Sequence, residues 1–461
     1  MKKLILTIAL SVSVILSSFA QRNYAQELVN LLQQGRCFEA MEFRTKNADK
    51  LPANDSAFNV LYKAHMALFF NKPDSAVIYL EDLIANHELK IGPGISSYYG
   101  KLLSVHGSKQ QFKEGIKVCD KYIEHLRINP FDQAQDFIHK EMSSVESIKK
   151  ALQSRDVNEP RIKIKRDNSS KYKTIRISDM GYIRFNAKYN DITAETWFST
   201  GATAYFMLTR SLADKIGTKL VDKTQDSIQI VNDIPTKARI EVIDQINLGG
   251  VKLYNIPVLV FNDRLVPYTT DTLNVKTKSK DKAIASDRQI IMGLPAMKMI
   301  GMIDFDWKNR TVSFPVKTEN IVSSDSSRTY LLENSLYIDL KINGLNYVGY
   351  IDTGSDDFLN MTYSFYMKNK SQIEIDSTAQ KKPFQRHTMA GSYFNIPHEL
   401  VKGADVYLNS RMLNHGDGEV VVSDRKSHAT IFDGVVGVNF FRRLGSKITF
   451  DFDNMRVKVS D

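Results

Sequence analysis

The tripeptide Asp352-Thr353-Gly354 contains residue types that are suited to acid–base chemistry. It follows Tyr350-Ile351, a pair that is typical of the end of a partly buried strand. A carboxylate in this position can take up or release a proton, and the glycine lets the chain turn back on itself. The same three residues also occur at ordinary strand-to-turn corners. The tripeptide alone therefore does not distinguish a structural role from a catalytic one.

The surroundings of this tripeptide occur twice in the chain. Ser199-Thr200-Gly201 lies upstream and has serine where the later copy has aspartate. Each copy is followed, after a long gap, by two apolar residues and a glycine, and then by two segments that predict closing strands. These segments are Ile291-Met292-Gly293, Ile303 to Trp307 and Thr311 to Phe314 in the first copy, and Val435-Val436-Gly437, Ile448 to Phe452 and Val457 to Val459 in the second. A repeated pattern with this many parts indicates two similarly folded halves.

The repeated pattern resembles that of the aspartic proteases, in their retropepsin-like or pepsin-like form, whose two lobes are two such copies. The resemblance implies that Asp352 is a catalytic residue and that Ser199 stands where a second catalytic aspartate is expected. It also implies supporting roles in the two loops for Thr353, Gly354, Thr200 and Gly201. In that family, a hairpin later in the chain folds over the substrate as a flap. Here its tip would be at Ala390, Gly391, Ser392 and Tyr393, although these residues are also typical of a plain surface hairpin.

Hydrolysis in this family depends on two carboxylates that act on one water. Because both cannot ionise at short range, they share a proton. The ionised carboxylate takes a proton from the water, and the protonated one polarises the peptide carbonyl. Ser199 can hold a water, but it supplies neither a carboxylate nor a shared proton.

The serine leaves four alternatives open. The chain is a weakened protease, or it forms a homodimer in which two copies of Asp352 meet, as in the single-lobed retropepsins. Another acid, such as Asp191 or Glu195, replaces the missing aspartate, or the chain is a pseudoprotease that binds peptides without cleaving them. Thr200 and Gly201 indicate that the first loop keeps its fold, and they do not decide whether it keeps its chemistry.

Periodicity predicts a multidomain protein with an α-helical region followed by a mainly β region. Residues 1–20 have the basic start, apolar run and small-x-small end of a secretory signal peptide. Apolar residues at three- and four-residue spacing predict helices over 21–153, and residues 154–170 are interpreted as a polar linker. Strand-like alternation predicts a first protease-like lobe at 171–317 and a second at 329–461.

The helical region contains a faint repeat. Turn-like segments at Gly35, Asn71 and Ser108 each precede a helix that opens on a small residue. Their spacing is similar to that of tetratricopeptide repeats, which predicts an array of helical hairpins. Such an array serves either to bind a protein partner or as a structural spacer.

Several other classes of function find no support in the sequence. The net charge is +10, but no block of lysine and arginine is dense enough to predict nucleic-acid binding. No apolar run reaches the roughly 20 residues of a membrane span, and no cysteine follows the signal segment to carry a lipid. Phosphate-binding glycine loops, G-x-S-x-G elbows and zinc-ligand helices are missing, so no cofactor or metal is expected. Cys37 and Cys119 are interpreted as two buried thiols or as one disulfide.

The sequence thus predicts an exported aspartic-type endopeptidase, periplasmic or secreted, with Asp352 as its catalytic acid and base and a peptide or protein as its substrate. The alternative is a catalytically inactive module that binds peptides or proteins. In a third interpretation the chain is a scaffold whose function lies in the helical region.

Overall fold

A computed structural model describes residues 23–166, 174–178, 181–221, 227–231, 234–261, 290–316, 326–378, 383–386, 394–413, 419–423 and 431–461. The chain divides into two compact units, Met1–Val157 and Asn158–Asp461. The first unit is helical and the second is mostly β, as the sequence predicts. Among the described residues, no helix is both long and apolar enough to cross a membrane.

The first unit consists of consecutive helices joined by short turns. The helices are α1 (23–33), α2 (Cys37–Lys46), α3 (Ser56–Phe69), α4 (Pro73–Asn86), α5 (Glu88–Ile91), α6 (Ile95–Ser108), α7 (Phe112–Ile128) and α8 (Gln135–Asn158), with short 3₁₀ turns at Ala48–Lys50 and Gly92–Gly94. Gly35, Asn71 and Gln110 lie in the turns before α2, α4 and α7, and all three have positive φ. This left-handed conformation reverses the chain within a few residues, which lets neighbouring helices pack side by side.

The helices that follow these turns carry a small residue at their fourth position. Ala40 of α2 and Ala76 of α4 are fully buried. A Cβ atom added at Gly115 of α7 would lie 3.0 Å from the Leu152 side chain of α8. A larger side chain at these positions would force the packed helices apart. This agrees with the small residues seen in the sequence repeat, and the tetratricopeptide resemblance itself stays a prediction.

The two cysteines are free and buried. Cys37 and Cys119 are not joined in a disulfide. Burial raises the pKa of the Cys119 thiol to about 11. Because the thiolate is the reactive form, Cys119 is an inert core residue.

The predicted linker at 154–170 differs from the structure at both ends. Helix α8 continues to Asn158, and Lys163–Arg166 form a strand, β1, that pairs antiparallel with residues 251–254 of the second unit. Arg166 then donates hydrogen bonds to the carbonyls of Phe314 and Pro315 at 3.1 and 3.3 Å. The second unit therefore begins near residue 158 rather than at 171.

Within the described residues, the other strands of the second unit belong to two sheets, in which sequence neighbours are not always adjacent. They are β2 (Ile175–Arg176), β3 (Arg184–Tyr189), β4 (Ile192–Ser199), β5 (Phe206–Thr209), β6 (Lys219–Leu220), β7 (Ser227–Val231), β8 (Ile234–Asn247), β9 (Val251–Phe261), β10 (Ile290–Gly293), β11 (Met302–Asp306), β12 (Thr311–Ser313), β13 (Ser326–Leu332), β14 (Ser335–Ile342), β15 (Leu345–Asp352), β16 (Leu359–Met361), β17 (Pro383–Arg386), β18 (Phe394–Leu400), β19 (Val406–Leu408), β20 (Arg411–Leu413), β21 (Val420–Ser423), β22 (Gly434–Gly437), β23 (Lys447–Asp451) and β24 (Arg456–Ser460). In the described part of this unit, four short helices interrupt the strands: α9 (Arg210–Ile216), α10 (Leu294–Ile300), α11 (Tyr363–Lys368) and α12 (Val438–Leu444).

One strand arrangement occurs twice in this unit. In the first half, β10 lies between β4 and β5, parallel to β4 and antiparallel to β5. In the second half, β22 lies between β15 and β16 with the same two orientations. Each inserted strand is followed by a seven-residue helix, α10 or α12. The strand pairing thus repeats as the sequence does.

The closing strands of the two halves form one continuous sheet. Strand β11 pairs antiparallel with β23, with Phe305 opposite Ile448. Beneath this pairing, the ring of Phe305 lies 4.9 Å from that of Phe198 and 6.0 Å from that of Phe450. Phe198 directly precedes Ser199, so an aromatic core shared by the two halves supports the first loop from below.

Glu241 of β8 is a buried carboxylate held by two neighbours. Arg210 Nη2 donates to Glu241 Oε2 at 2.9 Å, and Arg210 Nη1 and the Thr218 hydroxyl donate to the same carboxylate. Burial on its own would raise the pKa of Glu241. The hydrogen bonds from Arg210 and Thr218 outweigh this effect, and the pKa lies below its ordinary value of 4.5.

We expect Glu241 to make the second unit sensitive to acid. A carboxylate with a depressed folded-state pKa stabilises the fold above its unfolded pKa, and that contribution is lost as the pH falls through the folded value. Glu241→Gln should lower the free energy of unfolding by about 3 kcal/mol at neutral pH and flatten its decline below about pH 4.5. Glu374, which pairs with Lys402 at the surface, is the control, since Glu374→Gln should cost under about 1 kcal/mol. Urea unfolding across this pH range measures both, and equal losses would contradict the assignment.

Candidate functional site

Ser199 and Asp352 end two equivalent strands and face each other. Ser199 is the last residue of β4 and lies beside Gly293 of β10, while Asp352 is the last residue of β15 and lies beside Gly437 of β22. Both side chains are partly exposed. The Ser199 hydroxyl donates a hydrogen bond to Asp352 Oδ1 at 3.1 Å. The structure therefore brings together the two residues that the sequence repeat paired.

Thr200 and Thr353 connect the two loops. Thr200 Oγ1 donates to the Ile351 carbonyl at 2.7 Å and accepts from the Thr353 amide at 3.0 Å. In return, the Thr200 amide donates to Thr353 Oγ1 at 3.0 Å. Both threonines are fully buried, so these bonds are shielded from water. Each loop is thus held by the other, and the distance between Ser199 and Asp352 is fixed.

Gly201 and Gly354 provide the space that the two side chains occupy. A Cβ added at Gly201 would lie 2.6 to 2.7 Å from the carboxyl atoms of Asp352. A Cβ added at Gly354 would lie 2.3 Å from Ser199 Oγ and 2.8 Å from Ser199 Cβ. The Gly354 amide also donates to Asp352 Oδ1 at 2.9 Å, which orients the carboxylate. Only glycine fits at these two positions, because each loop passes close to the side chain of the other loop.

Gly293 of β10 and Gly437 of β22 likewise leave room for the loop that lies in front of each strand. A Cβ at Gly293 would lie 2.1 Å from the Ala204 carbonyl oxygen, and one at Gly437 would lie 2.3 Å from the Asp357 carbonyl oxygen. The two loops turn in the same way, because the Ala202 amide donates to the Ser199 carbonyl at 3.2 Å and the Ser355 amide to the Asp352 carbonyl at 3.0 Å. The apolar-apolar-Gly segments therefore lie directly behind the loops, as the sequence pattern predicts.

Asp191 and Glu195 do not take the place of the missing aspartate. Asp191 precedes β4, at the end of the strand opposite to Ser199, and its side chain is 99% exposed beside Lys188. Glu195 accepts hydrogen bonds from Arg184 at 2.9 Å and from Ser178 at 3.2 Å. Both carboxylates thus interact with residues other than Asp352. The alternative in which one of them replaces the missing aspartate is wrong.

Contacts outside the repeated motifs hold the loop after Asp352. The Ser355 hydroxyl donates to the buried carboxylate of Asp357 at 2.9 Å, and the Asn439 side-chain amide donates to the Asp356 carbonyl. Asn439 is 83 residues away from Asp356 and comes close because α12 starts directly behind the loop. The sequence offers one signal for this, namely that Val435-Val436-Gly437 precedes Asn439.

The predicted flap tip, Ala390, Gly391, Ser392 and Tyr393, lies outside the described residues. The described strands on either side, β17 and β18, pair antiparallel with Arg386 opposite Phe394. Among the described residues, no cluster of histidine, cysteine, aspartate and glutamate could hold a metal ion.

Comparison with known proteins bears on the first of the two repeats. Residues 185–295 match the family model of aspartyl proteases. The matched segment contains Ser199-Thr200-Gly201 and Ile291-Met292-Gly293, so this repeat is aspartyl-protease-like although it lacks the aspartate. A solved retropepsin-like aspartic protease from Rickettsia conorii is 16% identical to the chain, over 33% of this chain and 92% of that one, with a TM-score of 0.20. No curated protein matches the chain.

We expect Thr200→Val to destabilise the second unit by about 3 kcal/mol. Valine keeps the shape of threonine but leaves the Ile351 carbonyl and the Thr353 amide unpaired in a buried position. Thr209 is the matched control, because its buried hydroxyl has no hydrogen-bond partner in the described part of the chain. Thr209→Val should be neutral or slightly stabilising in the same urea titration, and equal effects of the two substitutions would contradict the role of the cross-loop bonds.

Proposed function

We propose that the protein is an aspartic-type endopeptidase, with Asp352 as its catalytic acid and base and with activity weakened by Ser199. The observation that carries this proposal is the hydrogen bond between Ser199 and Asp352 at 3.1 Å, at the meeting point of two repeated loops. The two repeats would be the two lobes of the protease, and a peptide would bind over both loops. The family match over residues 185–295 supports the same reaction class.

In this mechanism Asp352 activates a water held beside Ser199. The carboxylate accepts a proton as the water attacks the peptide carbonyl, and it later gives this proton to the leaving amine. The Gly354 amide, 2.9 Å from Asp352 Oδ1, keeps the carboxylate oriented through both steps. Ser199 can donate a hydrogen bond to the water or the carbonyl, but it is a much weaker acid than a protonated carboxyl group. We therefore expect peptide hydrolysis by this site to be slow.

A site within one chain is favoured over a dyad between two chains. The position opposite Asp352 is already filled by Ser199 of the same chain. For two copies of Asp352 to meet, the buried bonds between Thr200 and Thr353 would have to break in both chains. That cost argues against the homodimer as the catalytic form.

The second candidate function is a pseudoprotease that binds peptides without cleaving them, and Ser199 is the observation that favours it. The two functions are separated by incubating the wild-type protein and Asp352→Asn with a peptide library at acidic pH and identifying products by mass spectrometry. Wild-type cleavage that Asp352→Asn abolishes supports the peptidase. Binding of library peptides with no product from either protein supports the pseudoprotease.

We also propose that the protein is exported and that the helical unit binds a protein partner or peptide. The signal-like residues 1–20 motivate the first part. Amino-terminal sequencing of the native protein should give a start near Gln21, and a start at Met1 would contradict export by cleavage. For the second part, a partner should be captured by full-length protein and lost when surface residues of α2 to α7 are changed.

A further inference from the structure

The Ser199–Asp352 contact also has the geometry of a nucleophile beside its base. An enzyme serine becomes nucleophilic when its hydroxyl lies within about 2.6–3.2 Å of a group that takes its proton. The Ser199 hydroxyl donates to Asp352 Oδ1 at 3.1 Å, and both side chains are partly exposed. This contact arises at the end of a strand, where a side chain projects from the sheet, although the sequence has no G-x-S-x-G elbow.

The base is itself oriented by a third group. The Gly354 amide donates to Asp352 Oδ1 at 2.9 Å, and the buried threonine bonds fix the two loops relative to each other. Orientation of the base by a separate hydrogen bond is the third part of an activated nucleophile. Nucleophile, base and orienting group are therefore all present in the two loops.

The loop that contains Ser199 also offers a backbone donor. The Gly354 amide, two residues after Asp352, points at the Asp352 side chain. Gly201 holds the same position after Ser199 in a loop that turns in the same way. Within the described part of the chain, the Gly201 amide makes no hydrogen bond to protein. It is available to donate to the oxygen of a tetrahedral group built on Ser199 Oγ.

In the described part of this unit, two other serine–carboxylate contacts lack these properties. Ser178 donates to Glu195 at 3.2 Å, but Glu195 is neutralised by Arg184. Ser355 donates to Asp357 at 2.9 Å, but that carboxylate is buried. Of these three pairs, Ser199–Asp352 is the one in which a partly exposed hydroxyl faces a carboxylate held by a neutral amide.

We propose that Ser199 is a nucleophile for acyl and phosphonyl groups with good leaving groups, a reaction distinct from the direct attack of water on peptides. Ser199 Oγ attacks the carbonyl carbon of an activated ester while Asp352 takes its proton. A bond forms between Oγ and carbon, the bond from carbon to the leaving oxygen breaks, and Asp352 returns the proton to the departing alcohol. Water then attacks the acyl-serine, with Asp352 again as the base, and releases the acid and free Ser199. An aspartate is a weak base for a serine, so the turnover is slow and confined to activated groups.

The test is covalent labelling of the full-length protein with a fluorophosphonate, which forms a phosphorus–oxygen bond to the serine and releases fluoride. Peptide mass spectrometry should place one adduct on Ser199 of the wild-type protein. Asp352→Asn should slow the labelling roughly 100-fold, Ser199→Ala should abolish it, and Ser178→Ala should leave it unchanged. Because the adduct is located in the wild-type protein, the test does not depend on any variant folding.

An unlabelled Ser199, an adduct on another residue, or equal rates in the wild-type protein and Asp352→Asn would overturn the proposal. The labelling result is independent of peptide cleavage, which is read from library products. A protein that labels at Ser199 but cuts no peptide would support this inference and contradict the proposed peptidase.

Discussion

Ser199→Asp is expected to raise peptidase activity at acidic pH by roughly 10²- to 10⁴-fold, the range that a general acid or base contributes. Serine at this position already lies 3.1 Å from Asp352 Oδ1, so a carboxylate there would share a proton with Asp352. The Gly201 amide is placed to orient the new carboxylate, as the Gly354 amide orients Asp352. The buried hydrogen bonds of Thr200 and Thr353, which fix the two loops, are already present in the wild-type protein. Initial rates on peptides found in the library screen measure the gain.

Thr203→Asp is the matched control for this gain. Thr203 is an exposed residue of the same loop, so the substitution adds the same charge without placing a carboxylate opposite Asp352. It should leave the rate unchanged. A folded Ser199→Asp protein that stays inert and binds no pepstatin-like inhibitor would count against the peptidase and in favour of the binding module.

Gly201→Ala and Gly354→Ala are expected to abolish any activity and to lower the free energy of unfolding by about 2–3 kcal/mol each. The added methyl group of Gly201→Ala would lie within 2.7 Å of three carboxyl atoms of Asp352, and that of Gly354→Ala would lie 2.8 Å from Ser199 Cβ. Rotation of the serine hydroxyl does not relieve the second contact, because Cβ is fixed by the backbone. The loops would have to separate, and the bonds between Thr200 and Thr353 would weaken with them.

Gly100→Ala is the control for a glycine without a packing role. Gly100 lies inside α6, and nothing would lie within 4 Å of an added Cβ. Alanine there should stabilise the helical unit by up to about 1 kcal/mol. Urea unfolding of all three variants measures these changes, and a stable, active Gly201→Ala protein would contradict the geometry of the site.

The β elements that the sequence predicts best are those with a clear pattern of burial. Ile183, Phe185 and Ala187 alternate with other residues in the pattern that predicts a strand, and β3 covers Arg184–Tyr189. Gly249 and Gly250 favour a turn between two apolar runs, and β8 and β9 pair across it. Strand β1 lies within the predicted linker, because its four residues, Lys-Ile-Lys-Arg, show no strand-like pattern of burial. Its pairing with β9 depends on backbone hydrogen bonds at a sheet edge, which side-chain polarity does not reveal.

The candidate site was predictable to the extent that it is repeated. Two copies of one loop imply that Ser199 and Asp352 end equivalent strands, and the structure places them in contact. The contact of the Asp352 loop with Asn439 was not predicted. It depends on where α12 packs, and the only signal in the sequence is that Asn439 follows Val435-Val436-Gly437.

If Ser199 occupies the place of a lost partner of Asp352, the two positions should act as one unit. The dependence of any Ser199→Asp activity on Asp352 measures this directly. The double variant Ser199→Asp with Asp352→Asn should be folded, with a melting temperature near that of Ser199→Asp, and should cleave no peptide above background. If the double variant keeps the activity gained by Ser199→Asp, the pairing of Ser199 with Asp352 as a catalytic unit is contradicted.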